Sequence, residues 1–105
     1  MNFKQLGENL GLEEDEYREL IELFIDTGSS EFDRLKAALT ASDFEQIARS
    51  AHTIKGAAGN LGLTDVQGVA STIEKGASAQ DSQALAEAMD TLGEKFKAIE
   101  GFVHG

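Results

Sequence analysis

The 105-residue chain has no cysteine and no proline. The first absence removes disulfides, thiolate metal sites and cysteine nucleophiles together, and fits a reducing compartment. The second means that nothing obliges a helix to break. No run of about 18 apolar residues is present that could span a membrane. The opening Met1–Glu8 lacks the apolar stretch of a signal peptide. Positive charge is also scarce: nineteen Asp and Glu against nine Lys and Arg give a formal charge of -10. Such a sum repels a nucleic-acid duplex and an anionic bilayer, so neither is expected as a partner. The expectation is one soluble, cytoplasmic domain over residues 1–105, large enough to bury roughly two-thirds of its unfolded surface.

Ala, Leu, Glu and Lys, all strong helix formers, recur throughout. A short helix is expected over residues 2–10. Gly11 and the acids Glu13–Glu16 then mark a helix start, because negative charge suits a helix amino end. Tyr17, Leu20, Ile21, Phe24, Phe32, Leu35 and Leu39 keep a three-four spacing. They predict one helix of about 25 residues rather than two pieces joined near Gly28–Ser30. Ala41–Asp43 offers a turn with Ser42 or Asp43 as N-cap. The next helix carries Phe44, Ile47, Ala48, Ala51, Ile54, Ala58 and Leu61 and stops near Gly62. Thr64 or Asp65 is expected to cap a third, buried through Val66, Val69, Ala70 and Ile73. Gly76–Ser82 is small and polar and predicts a loop. Leu85, Met89, Leu92, Phe96, Ile99 and Val103 stripe the last helix. The fold class is therefore all-α: an antiparallel four-helix bundle with a short additional N-terminal helix.

Of the two histidines, His104 lies beside the carboxyl terminus, whereas His52 falls in the second long helix. On a helical projection His52 shares its face with Glu45, Ala48, Arg49, Lys55, Gly56 and Gly59, flanking the apolar stripe, so its ring should reach solvent. Mid-helix glycines cost about 1 kcal/mol each relative to alanine. Here they leave a shallow surface that another molecule can approach closely. Residues 46–64 hold no Asp or Glu, while residues 1–45 hold twelve acids and four bases. An acid-free histidine face on an acidic protein suits an anion, and phosphoryl transfer in particular. Imidazole as a residue type offers a neutral nucleophile near pH 7. Lys55, one turn on, can neutralise a phosphoryl oxygen without competing for the ring proton. Arg49 is read equally well as a partner of Glu45 four residues earlier. No Gly-rich phosphate loop and no magnesium-like acid cluster is present, so no cofactor is expected on this chain. The phosphoryl group and any Mg2+ must come from a partner.

The run Ala51-His52-Thr53-Ile54-Lys55-Gly56-Ala57-Ala58-Gly59-Asn60-Leu61-Gly62 resembles the signature of histidine-containing phosphotransfer (HPt) domains of two-component phosphorelays. Leu20–Phe24, Ala38–Asp43 and Ile73-Glu74 extend the resemblance to about residues 12–100. It implies that His52 is phosphorylated on Nε2, that Lys55 stabilises the phosphoryl group, and that Gly56 keeps room for a receiver domain, with Gly59 and Arg49 as further docking candidates. Some family members place a glutamine on the following helix. Glu74 matches that position and cannot donate a hydrogen bond when ionised, so it is not carried over as a site residue.

The leading expectation is a monomeric phosphocarrier without kinase activity. It would take a phosphoryl group from a receiver-domain aspartyl phosphate, on a response regulator or hybrid histidine kinase, and pass it to another receiver. Two alternatives are a non-transferring module that sequesters a receiver, and the phosphoacceptor domain of a larger chemotaxis-type kinase. A metal-binding bundle is disfavoured, because His52 has no second histidine at helical spacing.

Overall fold

A computed structural model describes residues 2–104. Five helices, α1 (Phe3–Asn9), α2 (Glu14–Thr40), α3 (Phe44–Asn60), α4 (Thr64–Ala79) and α5 (Ser82–His104), account for all regular structure among the described residues. α1 starts where the Asn2 side chain accepts the Gln5 N–H at 3.0 Å. Gly11, with φ of +74°, turns the chain into α2. There the Glu16 carboxylate accepts the Glu13 N–H at 3.1 Å, and Glu14, Asp15 and Glu16 sit at the positive end of the helix dipole.

α2 runs for 27 residues without a break. At about 1.5 Å per residue it spans nearly the whole 41 Å long axis of the molecule. Gly28 is no hinge; it seats a ring. A Cβ there would lie 3.0 Å from Phe96 Cζ. Phe96 in turn packs edge-on against Phe24 and Phe32, each with a centroid separation of 5.8 Å. At the next corner Asp43 is the cap, accepting the Gln46 N–H at 3.1 Å, while Ser42 takes the left-handed φ of +54°.

Two expectations fail in the second half. The N-cap of α4 is Leu63, with Thr64 already helical and no side-chain cap bond. Leu63 is buried in the core, so apolar packing fixes this helix start in place of a capping oxygen. The expected loop over Gly76–Ser82 shrinks to Gln80 and Asp81. Gly76 explains why: its missing Cβ, which would stand 3.0 Å from Leu85 Cδ2, lets the last turn of α4 lie directly on the first turn of α5. Gln80, at φ of +54°, then reverses the chain, and Asp81 opens α5 by accepting the Ala84 N–H at 3.1 Å.

The four long helices form a ring in which α2 and α4 each pack against both α3 and α5. Tyr17 near the start of α2 donates its hydroxyl to the Leu61 carbonyl just past α3. Arg18 donates to the Val103 carbonyl at the end of α5, at 3.1 Å. Both contacts join the start of one helix to the end of its neighbour, the antiparallel arrangement. Tyr17, Ile21, Leu35, Ile47, Ile54, Ile73, Leu85 and Leu92 are wholly buried. Leu20, expected in the stripe, is exposed; it precedes Ile21 by one residue and so points about 100° away around the helix. α1 packs on α2 through Phe3, whose ring lies 6.1 Å from that of Tyr17.

Candidate functional site

His52 projects from the middle of α3 with its side chain 73% exposed. The burial of Ile47, Ala51, Ile54 and Ala58 turns the opposite side of the helix inward and fixes this orientation. Lys55 follows one turn later. Its Nζ stands 2.7 Å from Oε1 of Glu74 on α4, with the lysine side chain 32% and the glutamate 26% exposed. The same Oε1 lies 3.7 Å from Nδ1 of His52. One carboxylate oxygen thus faces both His52 and Lys55 of α3.

That oxygen is shielded from solvent and holds no aligned hydrogen bond. The Lys55 approach is short enough for an ion pair, but its direction is poor for a hydrogen bond, so Oε1 keeps an open acceptor site beside the imidazole. The ring nitrogen facing Glu74 is Nδ1. A proton on that nitrogen leaves the Nε2 lone pair free to act as nucleophile.

Glu74 reaches this position because α3 and α4 approach closely over small residues. Ala51, Ala58 and Ala70 are fully buried. A Cβ on Gly59 would come within 2.7 Å of Gln67 Nε2 on α4. Both residues are exposed, and the amide end of Gln67 is a flexible side-chain tip that can swing aside, so Gly59 stays on the open face. Gly56 is likewise exposed, and a Cβ there would meet nothing within 4 Å. Arg49 is engaged along its own helix, donating to Glu45 and to Gln46, each at 3.0 Å. His104 is exposed in the last turn of α5.

The structure thus groups His52 and Lys55 with Glu74, which sequence reasoning had set aside. A usable signal existed: between Asp65 and Asp81 Glu74 is the sole acid, and it directly follows a core position, Ile73. Among the described residues no three His, Asp or Glu side chains converge to hold a metal. The best-formed cleft, about 320 Å³ between α1, α4 and α5, is lined by Leu6, Val66, Ile99 and Phe102 and includes none of the histidine group. A reacting partner would therefore meet His52 on an open face, a geometry suited to another macromolecule more than to an enclosed small ligand.

Comparison with known proteins points the same way. The family profile described as the Hpt domain matches residues 19–101. The crystal structure of histidine-containing phosphotransfer protein B (HptB) from Pseudomonas aeruginosa PAO1 superposes with a TM-score of 0.82 at 24% identity, covering 97% of this chain and 86% of that one. No curated protein matches the sequence.

Proposed function

The chain belongs to the Hpt domain family, the histidine phosphotransfer domains of phosphorelays, and from that premise we propose that it is a phosphocarrier working through His52. A receiver domain bearing an aspartyl phosphate docks on the α3 face. The Nε2 lone pair of His52 forms the new P–N bond; the acyl-phosphate P–O bond breaks, and its electron pair stays with the aspartate carboxylate. The reverse sequence on a second receiver discharges the carrier. Positioning and charge neutralisation dominate such a transfer. Lys55 supplies the positive charge, Gly56 leaves room for the receiver backbone, and Mg2+ belongs to the receiver. The chain supplies the acceptor histidine without kinase activity of its own, as a cytoplasmic monomer whose partners are response-regulator receivers or a hybrid histidine kinase.

The observation that carries this reading is the open His52 ring with its Nδ1 edge turned to a carboxylate and its Nε2 edge free. The test is to mix the protein with a phosphorylated receiver domain and follow its intact mass. The expected result is a gain of about 80 Da, one phosphoryl group, labile in acid, stable in base and localised to His52. His52→Gln should melt at the same temperature and gain nothing. Full acceptance by that variant would overturn the assignment.

A further inference from the structure

We propose that Glu74 changes partners during the phosphoryl cycle, giving up Lys55 and taking the Nδ1–H of phosphorylated His52; the inference rests on the carrier reading above. In the unphosphorylated protein Lys55 is drawn to Glu74 at 2.7 Å, and Oε1 retains an unfilled acceptor site facing Nδ1 at 3.7 Å. A phosphoryl group on Nε2 alters every charge in this set. Its oxygens, carrying about two negative charges, compete with one carboxylate for the Lys55 ammonium. The nearest other cation on the helix, Arg49, is held by Glu45 and Gln46. Lys55 therefore moves toward the phosphoryl group.

A shielded carboxylate oxygen deprived of its cation needs a new donor. Nδ1–H is that donor. Closing the 3.7 Å gap to a charge-assisted hydrogen bond takes a shift of just under about 1 Å, which the 73% exposed ring is free to make.

The exchange bears on release. When the phosphoryl group moves to an acceptor carboxylate, a P–O bond forms and the P–Nε2 bond breaks, its electron pair returning to Nε2. With a proton on Nδ1 the departing group is neutral imidazole; without it the departing group is imidazolate, a far poorer one. Glu74 keeps that proton in place. It is a positioning residue that acts on the phosphoryl group only through the ring.

The test loads wild type, Glu74→Gln and Glu74→Asp with phosphoramidate, a small phosphoryl donor that needs no partner protein. Nitrogen-15 NMR of the histidine ring at pH 8 then reads the proton on Nδ1, and a receiver domain is added to time release. In the wild type Nδ1 of phosphorylated His52 should carry its proton. In Glu74→Gln it should be bare, with release slower by about tenfold. Glu74→Asp should recover part of both, with all three proteins melting within a few degrees of one another. The same Nδ1 state and release rate in wild type and Glu74→Gln would overturn the exchange while leaving the carrier intact. A wild-type His52 that takes no phosphoryl group from phosphoramidate or from a receiver would overturn the carrier reading and the exchange with it.

Discussion

Gly28 and Gly56 both sit in the middle of a long helix, yet they stand in opposite surroundings. Gly28 is buried where α2 crosses α5, and a Cβ there would press on the ring of Phe96 at 3.0 Å. Gly93 on α5 does the same for Phe32, at 3.1 Å. The three aromatic rings of that seam interlock because two glycines make room for them. Gly56 makes room for nothing inside the molecule. A mid-helix glycine carries an entropic cost, and at Gly28 tertiary packing offsets it. At Gly56 no internal contact does so, which leaves the space above the helix as what the glycine provides. The seam is filled by the protein's own side chains, whereas the α3 face at Gly56 is left open.

Substitutions can break that contrast or sharpen it. The largest expected effect is on the open face: Gly56→Leu should slow phosphoryl acceptance from a receiver by at least about a hundredfold, the cost of obstructing the centre of an interface. Its stability in urea should match wild type or exceed it by a few tenths of a kcal/mol, since leucine is the better helix former. Unchanged transfer in Gly56→Leu would remove the external reason for this glycine. At the seam the pattern should invert. Gly28→Val should lose about 2 kcal/mol of stability through overpacking against Phe96, while each folded molecule accepts phosphoryl at the wild-type rate. A stable Gly28→Val would mean that the aromatic trio yields more readily than its packing implies.

The smallest effect belongs to the α2–α3 contact at Tyr17. Burial raises the pKa of its phenol above the usual 10.0. The folded protein thus holds this proton more tightly than the unfolded chain, and the associated stability is fully present below pH 10. It is lost as pH rises through the folded-state value. Thermal melts should fall on that alkaline side in the wild type and fall less in Tyr17→Phe. The variant should be about 1 kcal/mol less stable at neutral pH, having lost the bond to the Leu61 carbonyl. Equal alkaline slopes in the two proteins would show that this phenol does not control the transition.

Local signals carried most of the fold. The periodicity of Ile47, Ala51, Ile54 and Ala58 located both the buried side of α3 and, by exclusion, the exposed side with His52. Asp43 and Gly62 marked corners through the ordinary chemistry of caps and left-handed turns. The misses share a cause, for each depended on a contact between segments distant in sequence or on opposite sides of a turn. Gly76–Ala79 has the composition of a loop, but the fit of Gly76 against Leu85 and the burial of Ala77 in the core keep it helical. Leu63 holds the start of α4 by burial, which no capping rule anticipates. At the candidate site, His52, Lys55 and Gly56 could be singled out as candidates because they lie within a single stretch of helix. Glu74 belongs to the next helix, and its place between two α3 side chains follows from how closely α3 and α4 pack.

Arg18 links more than two helices. Its guanidinium lies 4.8 Å above the ring of Phe3 while donating to the Val103 carbonyl. Residues 3 and 103 are therefore neighbours in space, a full chain apart in sequence. With α2 and α5 also in contact, the polypeptide traces a nearly closed circuit, four struts long, with one arginine bridging the gap. In such a circuit the histidine face occupies one strut and its neighbour, and the joint lies on the other two. The joint thus stands clear of α3 and α4, whose own contact over small residues holds His52, Lys55 and Glu74 together.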